Sequence, residues 1–395
     1  MTRLRTISTR RLLALCVAAV LGLAGVATIA VAATGGGPTP PPKPLAQALR
    51  DAATAPSPAG VTARVTFTNR LIDTSGISQD RNPLLSGAKG RLWISASGDL
   101  RLELQSQGGG GDAQIVLRGD QLTIFDAASN TVYRATLPAD HPKRSGDESQ
   151  DPPTLAAVKR ALSRLADVAA VGEATPDNIA GREAYTVRLS PKANGGLVGG
   201  ASLAWDARNG APLRAAIYAV GQNDPVLELA ATDVSFGAVD DATFAVTPPS
   251  DATVVDLSPK TGSASGDHGT PDKPVTGLDA VRAKLDFPLS APATLAGMDR
   301  AQVALIQGDE RSGAVVTYGE GLGGIAVVQT PAGTAADKGP GRDSSLATVD
   351  LGGGVRAMKL ETALGTAITF TRGGVRYVVV GSVTGDTALA AARGL

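Results

Sequence analysis

Cysteine and histidine are scarce in this sequence, whose 395 residues include one cysteine and two histidines. With Cys16 alone no intramolecular disulfide can form, so the core has to hold the fold. His141 and His268 lie in polar loops far apart in the sequence, whereas zinc prefers several nitrogen and sulfur ligands and a Ser-His-Asp triad needs a positioned base. We therefore predict that the chain is not an enzyme and uses no metal or other cofactor.

Aromatic residues make up only 3% of the chain, and neither charge sign is in excess, since 37 Lys and Arg balance 37 Asp and Glu. The sequence indicates no basic surface, which argues against a nucleic-acid partner. By contrast, Gly (48) and Pro (25) are abundant. This composition is typical of many short strands joined by tight turns. The length predicts two domains once a leader is set aside.

The N-terminus has the pattern of an export segment. Four arginines precede an uncharged, mostly apolar run, Leu12–Ala33, and a Pro/Gly-rich stretch follows it. The run is longer than the roughly 7–15 residues of a signal-peptide core and long enough for a bilayer that needs about 20. However, Ala30-Val31-Ala32 offers a cleavage pattern. Residues 1–34 are thus a signal peptide or a signal-anchor: the body is secreted, or it is held at the cell membrane outside the cytoplasm.

Alternation of apolar and polar residues from Val61 onward predicts antiparallel strands. The turns between them are short, which favours a meander, and Asn209-Gly210 is a strong hairpin signal. Helical spacing predicts a first helix over Leu45–Ala53 and a second over Leu155–Val171. The second helix has a basic side, which could face lipid headgroups; its apolar stripe favours packing on the sheet instead.

The pattern predicts five segments: 1–34, the leader; 35–44, a Pro/Gly-rich tether; 45–257, a β-rich domain; 258–276, a linker; and 277–395, a small α+β domain. The linker is assigned because its Ser/Gly/Asp/Pro composition offers no apolar face.

Two other patterns are weaker. Gly319–Gly324 matches G-x-G-x-x-G, but a strand pattern follows it where a dinucleotide site needs a helix, so a hairpin turn is predicted. The acidic pair Asp240-Asp241 points its side chains apart on a strand or turn. It therefore does not form the facing carboxylates of a glycosidase.

Several stretches resemble the LolA/RseB superfamily. They are the paired strands Gly90–Ile94 and Asp99–Gln105, the hairpin Ile115–Tyr133, and the returning strands Ile179–Leu189 and Leu203–Arg214. The resemblance implies an α+β fold, an antiparallel half-barrel with covering helices, followed by a second small antiparallel α+β domain of a kind appended in Gram-positive bacteria. It implies no catalytic residues.

The resemblance also implies two functions. One is a lipoprotein-carrier type of protein that holds a lipid or lipoprotein acyl chain in a concave apolar face. The other is an envelope-stress or anti-sigma regulator that contacts a membrane-bound partner protein. Since alternate residues of a strand share a face, Leu100, Leu102 and Leu104 are predicted to point inward, away from Arg101, Glu103 and Gln105. The residues predicted to line the ligand are Leu102, Leu104, Leu122, Ile124, Val187, Leu189, Leu203, Trp205, Leu227 and Leu229.

Overall fold

The computed structural model describes residues 37–72, 83–106, 111–136, 169–192, 195–256, 275–307, 312–333 and 347–395, with a few helical residues between 159 and 167. The chain divides into two compact units. The first holds the described residues up to Lys192 and Gly199–Pro259, and the second holds Ala193–Val198 and the described residues from Lys260 onward.

The first unit is one 13-stranded sheet. Its strands are β1 (Gly60–Asn69), β2 (Ala88–Ser95), β3 (Leu100–Gln105), β4 (Asp112–Arg118), β5 (Gln121–Asp126), β6 (Thr131–Thr136), β7 (Ala169–Val171), β8 (Thr175–Ile179), β9 (Arg182–Pro191), β10 (Val198–Asp206), β11 (Pro212–Ala219), β12 (Leu227–Phe236) and β13 (Thr253–Asp256). The helices whose bounds are described in this unit are α1 (Leu45–Thr54), α2 (Pro83–Ser86) and a 3-10 helix, Asp241–Phe244.

The strand order shows how the sheet is joined. From one end it runs β13-β6-β5-β4-β3-β2-β1-β12-β11-β10-β9-β7, with β8 also paired to β9. The strands β1 to β6 form the predicted meander, and their described pairs are antiparallel. At its end β13 adds to β6 in parallel. In the middle of the sheet β1 pairs with β12, far away in the sequence.

The predicted alternation is confirmed in β3. Leu100, Leu102 and Leu104 are buried, whereas the residues between them are half-buried and Gln105 is exposed. The opposite face of β3 packs on the 3-10 helix, where the Arg101 guanidinium donates to the Thr243 carbonyl at 2.7 Å. Asp240 caps this helix by accepting from the Ala242 amide at 2.8 Å, so the acidic pair serves local structure here.

The second unit is an eight-stranded sheet in the order β14-β15-β16-β17-β21-β20-β19-β18, and its described pairs are antiparallel. The strands are β14 (Thr294–Leu295), β15 (Met298–Gln307), β16 (Ser312–Tyr318), β17 (Ile325–Pro331), β18 (Ala347–Asp350), β19 (Arg356–Thr362), β20 (Gly365–Arg372) and β21 (Val375–Gly381). Helices α3 (Leu278–Arg282) and α4 (Gly385–Arg393) supply Val281, Ala388 and Ala391 to its core. The G-x-G-x-x-G segment turns β16 into β17, with Tyr318 opposite Ile325, as predicted.

Both units are mostly sheet with short described helices, so the α+β class is confirmed only in its β part. The helix predicted to reach Val171 is wrong at its end, because Ala169–Val171 forms β7 and pairs with β9. Alanine favours a helix, so the pairing of Ala169–Val171 with the edge of β9 outweighs the local helix preference here. Leu162 is helical and packs on the core of the first unit.

Some predicted segments lie outside the described residues, among them residues 1–36, both histidines and Ser258–Pro274. No helix in the described part of the chain has the length and apolarity needed to cross a membrane. Gly37–Pro44, the described part of the predicted tether, is neither helix nor strand, as expected.

Candidate functional site

One face of the first sheet, the face that carries Leu100, Leu102 and Leu104 and is called the inner face below, has a continuous apolar row. Five residues on neighbouring strands stand opposite one another across β2 to β6: Leu92, Leu102, Ile115, Ile124 and Tyr133. A second row contains Ile94, Leu100, Leu117 and Leu122. Helix α2 packs over β1, β3 and β4, and its Leu84 is buried. The face is therefore apolar over several strands, as the alternation predicted.

The ten residues predicted to line a ligand differ in how much surface they keep. Leu189 and Leu229 are half-buried. The other eight are buried by the chain's own atoms: Leu102, Leu104, Leu122, Ile124, Val187, Leu203, Trp205 and Leu227. Leu104 is 1% exposed. In this conformation most of the predicted lining is packed core.

Four residues of β9 and β10 form a distinct cluster beneath α1. Tyr185 stands opposite Trp205 and Val187 opposite Leu203, which places all four on one face. The rings of Tyr185 and Trp205 are 6.2 Å apart at their centroids and tilted by 39°. Leu45 and Ala48 of α1 cover them. The sequence predicted Val187, Leu203 and Trp205 as lining residues, and the resemblance implied covering helices without indicating which residues they cover.

The indole nitrogen of Trp205 stands out in this cluster. Trp205 is 3% exposed, and its Nε1 has no hydrogen-bond partner within the described structure. Its buried neighbours in the cluster are apolar apart from Tyr185, whose hydroxyl donates to the Pro41 carbonyl at 2.6 Å. A buried donor without an acceptor costs about 1–3 kcal/mol. The cluster beneath α1 therefore contains one unused polar group.

A second polar feature, which the sequence did not reveal, is the charged group around Arg214 on β11. Arg214 is buried, and its guanidinium lies 3.8 Å from Asp177 and 3.7 Å from Glu228. Thr186 donates to Asp177 at 3.2 Å. Two small buried residues, Ala184 and Ala204, lie on the strands between β8 and β11. One cation thus lies between two carboxylates.

Burial raises the pKa of Glu228, and the nearby charges of Arg214 and Arg70 lower it by less. A raised folded-state pKa means that folding favours the protonated carboxyl, so the stability that this group contributes is lost as pH rises through that pKa. We expect Glu228→Gln to be more stable than wild type at neutral pH, and the difference to vanish as pH falls below the ordinary glutamate pKa. Thermal unfolding of both proteins, from neutral pH to below the ordinary glutamate pKa, measures this difference in stability. The control is Asp233→Asn, at an exposed position of the same strand. A constant difference across the range would contradict the assignment.

The described part of the chain contains no group of three or more His, Cys, Asp or Glu side chains that could hold a metal ion. The turn between β10 and β11 is held by local hydrogen bonds. Asp206 accepts from the amides of Arg208 and Asn209, and Gly210 adopts a φ of 71°.

Comparisons with known proteins give likenesses of structure only. No family model and no curated protein matches the sequence. Among solved structures, MucB in complex with MucA(peri) is 16% identical with a TM-score of 0.41, covering 88% of this chain and 97% of that one. An uncharacterized conserved protein from Thermus thermophilus is 12% identical with a TM-score of 0.32, and the match covers 53% of this chain and 97% of that one. A LolA superfamily protein, NE2245 from Nitrosomonas europaea, is 12% identical with a TM-score of 0.24, and the match covers 52% of this chain and 98% of that one. The chain is thus similar, at low identity, to solved structures that include a member of the superfamily that its sequence resembles.

Proposed function

We propose that this chain is an extracytoplasmic, membrane-associated binding protein that takes a lipid or lipoprotein acyl chain on the inner face of its first sheet. The binding position is the apolar cluster beneath α1, formed by Tyr185, Val187, Leu203 and Trp205. The unused indole N–H of Trp205 is the observation that carries this proposal.

An acyl chain offers both chemistries that this cluster presents, apolar surface and one hydrogen-bond donor. Its methylene groups match the apolar side chains, and each buried methylene contributes about 0.8 kcal/mol. Its ester or amide carbonyl is an acceptor, which a buried indole N–H requires. A ligand of this type would satisfy Trp205, whose indole N–H has no acceptor among the described residues.

Helix α1 is a cover that a ligand can displace. It has 10 residues, buries only Leu45 and Ala48, and has no side-chain hydrogen bond at its N-cap, Pro44. Isolated helices of this length are marginal in water, so α1 depends on its packing against the sheet. An acyl chain that takes its place would gain the contacts that α1 gives up.

A different function is favoured by the other half of the inner face. Leu102, Leu104, Leu122 and Ile124 are buried without any ligand, as in a sheet that serves as a scaffold. The alternative is therefore a regulator of an envelope signalling partner that works by protein–protein contact.

Trp205→Phe separates ligand binding from simple packing. The variant keeps an aromatic ring and removes the donor, so we expect acyl binding to weaken by about 2–12-fold, the effect of losing one hydrogen bond of about 0.5–1.5 kcal/mol. The stability of the free protein should fall only slightly, because removal of the unsatisfied donor offsets part of the cost of the cavity that the smaller ring leaves. Binding of a fluorescent fatty acid and urea unfolding measure the two effects.

The matched control is Trp93→Phe, which alters the chain's other tryptophan. Trp93 lies on β2, opposite Arg101 of β3. It should leave acyl binding unchanged. Mass spectrometry of organic extracts from natively purified wild-type protein should find an acyl compound. Extracts without one, together with no fatty-acid binding, would contradict the carrier function and favour the regulator.

A further inference from the structure

The predicted tether is held against the first sheet. The Asn178 side chain donates from Nδ2 to the Pro38 carbonyl at 2.8 Å, and the Tyr185 hydroxyl donates to the Pro41 carbonyl at 2.6 Å. Both side chains are buried, and so is Pro40 between the two contacts. Lys43 lies 5.9 Å from the centre of the Tyr185 ring and pairs with Asp51 of α1 at 2.7 Å. The segment is thus fixed at several points before α1 begins.

A Pro-rich segment is suited to docking on side-chain donors. Prolines have no amide hydrogen, so an extended Pro-rich segment presents carbonyl acceptors as its main-chain hydrogen-bonding groups. Asn178 and Tyr185 supply donors for two of them. The proline rings also restrict the backbone, which reduces the conformational entropy lost when the segment docks.

We infer that Gly37–Pro44 is a docked strap which holds the first unit close to the membrane, so that its acyl ligand comes from the adjacent lipid leaflet. This inference rests on the proposed function, and on the membrane-anchored alternative for residues 1–34. It narrows the ligand source to lipids or lipid-modified proteins of the membrane in which the chain itself is anchored.

Chain length sets the distance. From Ala33, the end of the apolar run, to Pro38 there are five residue steps, which span at most about 18 Å when fully extended. A free tether would extend to Leu45, which is twelve steps from Ala33 and at most about 43 Å away. Docking therefore removes more than half of the possible reach.

The structure also shows which part of the sheet lies beside the strap. Asn178 lies opposite Glu183 at the hairpin between β8 and β9, and Glu183 pairs with Arg208 at 3.0 Å. Arg208 is exposed, in the turn between β10 and β11. A label at position 208 therefore reports on the part of the sheet beside the strap.

The test uses the full chain in phosphatidylcholine vesicles that carry an acceptor dye on a lipid headgroup. A donor dye is attached to Arg208→Cys after Cys16, the chain's single cysteine, is changed to Ser. We expect strong energy transfer to the lipid dye. The double variant Asn178→Asp/Tyr185→Phe, which removes both donors at nearly constant size, should lose much of this transfer. Tyr218→Phe, which removes a hydroxyl that lies 3.3 Å from Ser202, should keep it.

A spin label at the exposed Thr39→Cys, again without Cys16, tests docking independently of the membrane. It should be immobile in wild type and mobile in the double variant. If the label is equally mobile in wild type and in the double variant, or if energy transfer is equal in the two proteins, the docking of Gly37–Pro44 as a strap is contradicted. A mature N-terminus near residue 34 in the purified protein would overturn the membrane proximity. Acyl extraction from the same samples is a separate readout, so absence of the ligand contradicts the proposed function and leaves the strap standing.

Discussion

Leu104→Ala should lower the free energy of unfolding of the first unit by about 2–5 kcal/mol, the range for large-to-small changes in packed cores. Leu104 is 1% exposed, and it stands between Gly90 of β2 and Ala113 of β4. Its neighbours on both sides are small, so nothing nearby can expand to fill the space. Urea unfolding followed by circular dichroism measures the change.

Val220→Ala is the matched control in the same unit, because the Val220 side chain is 58% exposed. It should change stability by no more than about 0.5 kcal/mol. The reverse change in volume, Leu104→Trp, should destabilise by about 1–3 kcal/mol through overpacking. Full stability of the Trp variant would mean that the face has room for an indole, and would favour an acyl pocket at this position.

Gly90→Ala should have an effect of similar size, about 3 kcal/mol, through steric overlap instead of a cavity. A Cβ at position 90 would lie 1.9 Å from the carbonyl oxygen of Glu103 on the neighbouring strand. That atom is backbone and cannot rotate away. The pairing of β2 with β3 would have to separate at this point, in the middle of the apolar face.

The control for this change is Gly237→Ala, where an added Cβ meets nothing within 4 Å and φ lies outside the left-handed region. Thermal unfolding of the two variants side by side makes the comparison. If Gly90→Ala and Gly237→Ala are equally stable, the close approach of β2 and β3 at Gly90 is not required.

Strands with strict alternation could be predicted from the sequence because their two faces meet different surroundings. The row Leu100, Leu102 and Leu104 is an example. Strands β7, β8, β13 and β14 were missed. Each is short, and β13 joins β6 across more than one hundred residues of chain, where no local pattern signals the partner.

The candidate site divides in the same way. Alternation placed Val187, Leu203 and Trp205 on the inner face, but it could not show that α1 covers them. The burial of Arg214 was also missed, because an arginine in an alternating strand indicates a solvent-facing position. Its accommodation depends on Asp177, from a strand not predicted. The docking of the Pro-rich segment depends on the same strand, through Asn178.

The pairing of β1 with β12 also determines the order in which the first sheet can be completed. Strands β1 to β6 follow one another along the chain, and so do β9 to β12, so each half closes through connections far shorter than the one between β1 and β12. The seam between the halves joins residues such as Thr232 and Arg64, which are 168 positions apart. Closing such a long loop carries a large entropic cost, and contacts of this kind form late in folding. In a chain that emerges from its N-terminus, β1 therefore has an open edge until β12 has followed it, and an open edge invites pairing with other chains.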